Sequence, residues 1–138
     1  MFGTIITIAA AIAIFKLLAM PETPENIDIT KIKKEAIKGN QKAQYKLALC
    51  YWRGHYVDKD EKLAVSFLTQ SAERNYDKAQ YALGVYWGNQ KDAEGNISEE
   101  RIEHALYWLK RAQSNENKEA KLTLEKMTEF TEADFDRN

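Results

Sequence analysis

Apolar residues recur along most of the chain with the spacing of an amphipathic α-helix. From about residue 29 onward they return every three or four positions, as in the pairs Leu63 with Phe67 and Leu106 with Leu109. The pattern predicts an all-α chain of short helices, among them Gln41–Trp52 and Asp60–Arg74. Residues suited to helix N-termini stand before the predicted helices at Asn40, Asp60, Asp77, Ser98 and Asn117.

One block of this pattern occurs twice. Residues 43–52 read Ala-Gln-Tyr-Lys-Leu-Ala-Leu-Cys-Tyr-Trp, and residues 79–87 read Ala-Gln-Tyr-Ala-Leu-Gly-Val-Tyr-Trp, an offset of 36 residues. A repeat of that length is typical of stacked helical hairpins, in which each pair of helices buries its apolar face against the next pair.

The surroundings of the two blocks resemble the Sel1-like repeat, a relative of the tetratricopeptide repeat. The resemblance spans residues 29–127, and 36 residues separate the Ala-Gln pairs. The first unit matches at Ala43, Gln44, Leu47, Tyr51, Gly54, Val57, Asp60, Ala64 and Ala72. The second unit matches at Ala79, Gln80, Leu83, Gly84, Ala105, Trp108, Arg111 and Ala112.

The chain departs from the family pattern at single residues, in one loop and at its C-terminal end. Ala48 and Tyr56 stand where the family has glycines, and Phe67 stands where it prefers tryptophan. The second unit has a longer loop, which the sequence predicts over residues 88–96. The pattern decays after Ala120, as expected for a terminal capping helix.

The resemblance implies a short α-solenoid over residues 29–130 whose inner face, lined by the first helix of each hairpin, binds peptides or proteins. Two aromatic residues at the family's packing position, Tyr51 and Trp87, are expected in the core. The predicted partner-binding residues on the inner face are Tyr45, Lys46, Trp52, Arg53, Tyr81 and Tyr86.

The N-terminal residues form an apolar run. Residues 2–15 carry no charge, and Leu17 to Met20 extend the run past Lys16. As one helix of about 1.5 Å per residue the run is long enough to cross a bilayer, so residues 1–20 are predicted as a transmembrane anchor. Small residues that would let this helix pack against other membrane helices are Gly3, Thr4, Thr7, Ala10 and Ala11.

The charges beside the run suggest how the anchor is oriented. Lysines lie only on its C-terminal side, at Lys16, Lys31, Lys33 and Lys34, which places the repeats in the cytoplasm, beneath a bacterial inner membrane. A periplasmic repeat domain and cleavage of the N-terminal run remain the alternatives. Two prolines make residues 21–28 a linker, and residues 131–138 are predicted as an acidic tail.

Composition and isolated reactive residues favour binding over catalysis. The net charge of −1 gives no basic field for nucleic acid, so no nucleic-acid partner is expected. Cys50 cannot form an internal disulfide, and His55 and His104 lack partners at the spacing of a metal or acid–base site. No metal, cofactor or catalytic residue is predicted.

Three functions are therefore open at the level of sequence. The first is a non-catalytic, membrane-anchored adaptor or accessory subunit of a membrane protein complex. The second is an immunity or inhibitor protein that binds and blocks a toxin or an envelope enzyme. The third is an enzyme, which would need a polar pocket that the sequence does not indicate.

Overall fold

The computed structural model describes the backbone of residues 6–135 and the side chains of residues 6–129. Over that range the chain forms helices and no strands, which confirms the all-α prediction. The helices are α1 (Ile8–Phe15), α2 (Ile29–Ile37), α3 (Gln41–Arg53), α4 (Glu61–Glu73), α5 (Asp77–Gly88), α6 (Glu99–Ser114) and α7 (Lys118–Phe135).

Side-chain caps fix where most of these helices begin. Asn40 Oδ1 accepts from the Ala43 amide at 2.9 Å, and Asp60 Oδ1 accepts from the Leu63 amide at 3.0 Å. Ser98 and Asn117 cap α6 and α7 in the same way. Each cap satisfies an amide that would otherwise lack a partner in the first turn, and these four predictions are confirmed.

The second hairpin begins differently. Tyr76 is the N-cap residue of α5 and makes no capping hydrogen bond with its side chain. Asp77 lies in the first turn of α5, where the helix dipole stabilises its negative charge. Its carboxylate accepts from Asn117 Nδ2 at 2.8 Å, so Asp77 also ties the start of α5 to the start of α7.

Small residues let the two helices of each hairpin approach closely. Ala64, Ala72, Ala105 and Ala112 are all fully buried between neighbouring helices. At Gly84 a Cβ atom would lie 2.9 Å from Leu109 Cγ, so only glycine permits this approach of α5 to α6 without a shift. The hairpins α3–α4 and α5–α6 therefore stack as compact units, with α2 before them and α7 after them.

A buried glutamine in each hairpin holds the preceding helix. Gln44 Nε2 donates to the Ala36 carbonyl at 3.2 Å, and Gln80 Nε2 donates to the Ala72 carbonyl at 3.1 Å. Both carbonyls lie in the last turn of a helix, where they also accept from the Gly39 and Asn75 amides, each at 3.0 Å, so the glutamine is an additional donor to the helix end. The Gln of the Ala-Gln pair thus links each hairpin to the element before it.

From residue 6 onward, the apolar run at the N-terminus lies on this stack of helices. Helix α1 has only eight residues and contacts α5, α6 and α7. Its buried residues Ala10, Ala11, Ile14 and Phe15 form one stripe, and Phe15 is completely inaccessible to solvent. The chain leaves the helix at Lys16, and Met20 is buried against the first hairpin.

This placement corrects the predicted single-pass localisation in a bacterial inner membrane, with cytoplasmic repeats. Between residues 6 and 135, no helix combines the length and the apolar character needed to cross a bilayer. Eight residues at about 1.5 Å each give about 12 Å, well short of the hydrocarbon thickness of about 30 Å. From residue 6 onward, the apolar run is divided between a short helix and a non-helical stretch, and one side of each packs against the repeats.

The small residues predicted for packing within the membrane have other roles. Thr7 is the N-cap of α1, and its Oγ1 accepts from the Ala10 amide at 3.2 Å. Ala10 and Ala11 are buried. Gly3 and Thr4 lie outside the described residues.

The C-terminal helix α7 closes the other end of the stack. Ala120, Leu124 and Met127 are buried against α6 and α1. The helix runs through Phe135 and so continues into the segment 131–138 that the sequence predicts as a tail.

Candidate protein-binding face

Helices α3, α5 and α7 present one side to the N-terminal segment, residues 6–23. We call that side the inner face. Helix α1 lies across α5 and α7, and the non-helical residues Leu18 to Thr23 cross from α5 to α3. The inner face of this chain therefore already holds a stretch of polypeptide, and the contacts show how it does so.

Arg53, at the end of α3, binds the main chain of the segment. Its Nη2 atom donates to the Met20 carbonyl at 2.8 Å and to the Pro21 carbonyl at 3.2 Å. The same atom lies 3.2 Å from the Glu22 carboxylate, an exposed pair that contributes little by itself. The planar guanidinium can engage several acceptors at once, which suits it to a run of carbonyl groups.

Asn89 performs the equivalent task in the second hairpin. Its Nδ2 atom donates to the Leu18 carbonyl at 3.3 Å and to the Val85 carbonyl of α5 at 3.0 Å. Asn89 follows Arg53 by the repeat offset of 36 residues, so the two side chains occupy corresponding positions. Each hairpin therefore supplies a hydrogen-bond donor to a main-chain carbonyl of the segment.

The positions just before these donors differ. Trp52 precedes Arg53, whereas Gly88 precedes Asn89. A Cβ atom at Gly88 would overlap the ring carbons of Phe15, so the absence of a side chain creates the seat for this ring. The sequence predicts Gly88 as the start of a loop, but the structure makes it the last residue of α5.

A small cavity remains between the segment and the inner face. Its volume is about 350 Å³. Burial raises the pKa of the Tyr45 hydroxyl well above its usual value, and nearby acidic groups add to the effect. Burial also raises the pKa of Tyr81, its counterpart one repeat later. Both phenols are therefore neutral at physiological pH. The cavity is lined by Ala19, Pro21, Tyr45, Lys78, Tyr81, Asn117 and Glu119.

A row of aromatic rings runs beside the segment from α3 to α6. Trp52 meets Tyr86 edge to face at 5.7 Å, and Tyr86 meets Trp87 at 5.4 Å. Trp87 in turn stacks on His104 at 5.3 Å. Trp52, Tyr86 and Trp87 all pack against the core around Met20, so they stiffen the ends of α3 and α5 near the donors.

The structure separates one predicted residue from the others. Tyr45, Tyr81 and Arg53 lie around the segment, and Trp52 and Tyr86 adjoin it in the aromatic row. Lys46 instead lines a second cavity, on the side of α3 that faces α2 and residues 24–28. The six residues predicted for partner binding therefore do not share one surface, and Lys46 is not part of the inner face.

The sequence reasoning missed Gly88 and Asn89. Both residues lie in the predicted loop 88–96, because the repeated block of sequence ends at Trp87. A glycine inside a helix costs up to about 1 kcal/mol relative to alanine, so its presence signals a close approach of another group. The correspondence of Asn89 with Arg53 could have been found by extending the 36-residue offset two positions further.

Reactive side chains do not converge on this face. Cys50 is buried, and burial raises its thiol pKa, which disfavours the nucleophilic thiolate. Within the part of the chain that the structure describes, no three His, Cys, Asp or Glu residues lie close enough together to hold a metal ion. The chemistry of the face consists of apolar contacts and hydrogen bonds to main-chain atoms.

Fold and face together define an α-solenoid of stacked helical hairpins. Comparison with known families identifies a Sel1 repeat at residues 41–76 and at residues 77–114. These matches cover more than half of the chain, which therefore belongs to the Sel1 repeat family. Sel1 repeats generally serve as non-catalytic modules for protein–protein interaction. Comparisons with curated proteins and with solved structures found no match.

Proposed function

We propose that this protein is a non-catalytic adaptor or accessory subunit that binds a segment of a partner polypeptide on its inner face. The observation that carries the proposal is the pair of corresponding donors, Arg53 and Asn89. Both bind main-chain carbonyls of residues 18–21. Main-chain acceptors are common to all polypeptides, so a surface built to bind them suits a protein ligand.

The surroundings of these donors support the same function. Partly buried aromatic rings, including Trp52 and Tyr86, flank the donors, and such rings are enriched among the residues that dominate binding energy at protein interfaces. The cavity beside Tyr45 and Tyr81 leaves room for additional side-chain atoms. A partner would therefore find both polar anchors and apolar area on one face.

Site-directed photo-crosslinking tests the proposal in cells. A benzophenone amino acid is placed at Lys78 or Glu119, exposed residues at the rim of the inner-face cavity, or at Tyr107, an exposed control on α6. Mass spectrometry then identifies the crosslinked polypeptide and its attachment point. We expect one partner to crosslink from Lys78 and Glu119 and not from Tyr107.

Binding of the identified partner in purified form completes the test. In chains that also carry Phe15→Ala, which loosens the N-terminal segment from the same donor, Arg53→Ala should weaken the affinity for the partner about fivefold, since a hydrogen bond contributes about 1 kcal/mol net. Tyr107→Ala should leave the affinity unchanged. Equal crosslinking from all three positions, or full affinity of the Arg53→Ala variant, would refute the inner face as the binding surface.

A further inference from the structure

We propose that the N-terminal segment is an internal competitor that occupies the inner face until a partner segment of the same chemistry displaces it. This inference rests on the proposed function and adds to it the pattern of the ligand and the regulation of the face. Its evidence lies in three features: the seat at Gly88, the positions of the bound carbonyls, and the separation of the segment from the repeats in sequence.

The seat at Gly88 is specific for a flat ring. Phe15 is fully buried there, among residues from α5, α6 and α7. Any side chain at position 88 would overlap the ring, and apolar residues such as Leu109, Leu124 and Met127 belong to the same buried cluster as Phe15. The seat therefore accepts an aromatic side chain from whichever polypeptide lies on the face.

The remaining contacts define a pattern relative to that ring. Leu18 and Met20 turn apolar side chains toward the first hairpin, while Leu17 is 81% exposed. The carbonyls bound by Asn89 and Arg53 belong to Leu18, Met20 and Pro21. The matching ligand has an aromatic residue at the end of a helical turn, followed at the third and fifth positions by apolar residues; in this chain the Leu18 amide closes that turn by donating to the Phe15 carbonyl at 3.2 Å. In this chain the pattern is Phe-Lys-Leu-Leu-Ala-Met, residues 15–20.

The segment lies outside the two matched repeats, which begin at residue 41. It joins α2 through residues 24–28, which form no helix and include Pro24. Such a connection lets the segment leave the face without disturbing the hairpins. Most contacts it makes with the face are apolar or involve main-chain carbonyls, so an external polypeptide with the same pattern can replace it.

A labelled peptide of residues 12–23 provides the probe. It is titrated into the full-length chain and into a Phe15→Ala variant, in which the seat is empty and the internal competitor is weakened. In the unaltered chain, only molecules whose inner face is free of the N-terminal segment can bind the peptide. Removing this competitor raises the apparent affinity for the peptide by the reciprocal of the fraction of such molecules. We expect the peptide to bind the Phe15→Ala variant at least about tenfold more tightly than the unaltered chain.

Two matched controls locate the binding. In the Phe15→Ala/Gly88→Ala variant the seat is filled, so the gain in affinity should disappear. A peptide with alanine at the position of Phe15 should show no gain on the Phe15→Ala variant. Equal affinity of the probe for the unaltered chain and the Phe15→Ala variant would overturn the inference, as would an undiminished gain in the double variant.

A second measurement needs no substitution. Excess unlabelled peptide is added to the isotopically labelled, unaltered chain, and the NMR signals of Phe15 are followed. Displacement should move the chemical shifts of the Phe15 ring to values typical of a solvent-exposed phenylalanine. The Gly88 signals should keep their ring-current shift, because the phenylalanine of the peptide then lies beside Gly88. Phe15 signals that stay unchanged at saturating peptide would refute displacement.

Failure of this inference can be told apart from failure of the proposed function. A partner that crosslinks equally well to the unaltered chain and to Phe15→Ala would leave the binding function standing and remove the competitor. Conversely, peptide displacement without any partner crosslink at Lys78 or Glu119 would keep the competitor and remove the adaptor role.

Discussion

The two repeats use corresponding positions to hold the same segment, but they hold different parts of it. In the first repeat Trp52 stands beside Arg53, which binds the main-chain carbonyls of Met20 and Pro21, and no ring of the segment enters the end of α3. In the second repeat Gly88 leaves the space beside Asn89 open, and the Phe15 ring occupies it. The residue at this position of the repeat, tryptophan in the first and glycine in the second, thus decides which part of the segment each repeat binds. The first repeat binds main-chain carbonyls beside the tryptophan, and the second also holds an aromatic ring.

The repeats also differ in how their buried glutamines are satisfied. Gln80 Oε1 accepts from Asn115 Nδ2 at 2.8 Å, whereas Gln44 Oε1 is buried and has no hydrogen-bond partner in the structure. Asn115 and Arg74 are the C-cap residues of the two corresponding helices. An asparagine at this position completes the amide network of the second repeat, and the arginine of the first does not.

The largest expected effect is at the aromatic seat. Phe15→Ala should lower the free energy of unfolding by about 3 to 5 kcal/mol, the range for truncating a buried phenylalanine. Leu17→Ala, on the same segment but exposed, should change it by less than about 0.5 kcal/mol. Urea denaturation of both variants measures the difference, and similar losses from the two would show that Phe15 is not seated.

Combining changes at Gly88 and Phe15 sharpens this prediction. Gly88→Ala alone should destabilise by about 1 to 3 kcal/mol, because the new methyl group overlaps the ring. In the Phe15→Ala background the overlap is gone, and the same change should be neutral or stabilising by up to about 1 kcal/mol. A double-mutant cycle with no coupling between the two positions would contradict the seat.

The next effect distinguishes the two glutamine networks. Asn115→Ala should lower the free energy of unfolding by about 1 to 2 kcal/mol, since it leaves the buried Gln80 oxygen without a partner. Arg74→Ala, the corresponding change in the first repeat, should cost less than about 0.5 kcal/mol. Thermal or urea unfolding of the pair measures the contrast. If Arg74→Ala lowers the free energy of unfolding as much as Asn115→Ala does, the proposed difference between the Gln44 and Gln80 networks is wrong.

A smaller effect is expected at the two main-chain donors. Arg53→Ala and Asn89→Ala should each weaken attachment of the segment by about 1 kcal/mol, which corresponds to about fivefold faster hydrogen exchange of the hydrogen-bonded amides of Lys16, Leu17 and Leu18. Arg53→Lys should show much of the same change, because lysine keeps the charge and loses the planar fork. Exchange in α4 serves as the internal control. Unchanged protection of the segment in both alanine variants would contradict the shared role of the donors.

The smallest predicted effect is the response to alkaline pH. Burial raises the pKa of Tyr45 above the unfolded value near 10, so the folded state favours the neutral phenol. The stability that the folded state gains by holding this phenol neutral is fully present below pH 10. It is lost as the pH rises from 10 toward the folded pKa. Tyr45→Phe should therefore reduce the loss of stability between pH 8 and pH 11. The effect of Tyr45→Phe should exceed that of Tyr81→Phe, because Tyr81 is less buried. If the free energy of unfolding depends on pH equally in the unaltered chain and in both variants, this prediction is wrong.

Local features of the hairpins were predictable from the sequence because they depend on near neighbours. The caps at Asn40, Asp60, Ser98 and Asn117 follow from residue type beside a helical pattern, and the structure confirms them. The left-handed turn at Gly39, with φ of 92°, follows in the same way. The equivalent turn at Asn75, with φ of 69°, uses the residue that most often replaces glycine there, whereas Glu116, with φ of 63°, is a residue that no local rule favours in this conformation.

The placement of the N-terminal segment was not predictable, because it depends on a distant surface. An apolar run gains free energy by leaving water, whether it enters a bilayer or covers an apolar protein face. The uncharged stretch of residues 2–15 is near the length of a buried helix, and only its extension past Lys16 made it resemble a membrane span. The deciding features, Gly88 and the two donors, lie about 35 to 70 residues further along the chain.

The contact between Phe15 and Gly88 is the most direct test of this account. Nuclear Overhauser effects are measured in the unaltered, isotopically labelled chain between the Phe15 ring protons and the Gly88 α-protons. We predict strong cross-peaks and a large ring-current shift of the Gly88 α-protons. Phe15 signals at random-coil positions, with no cross-peak to Gly88, would show that the inner face does not hold the N-terminal segment.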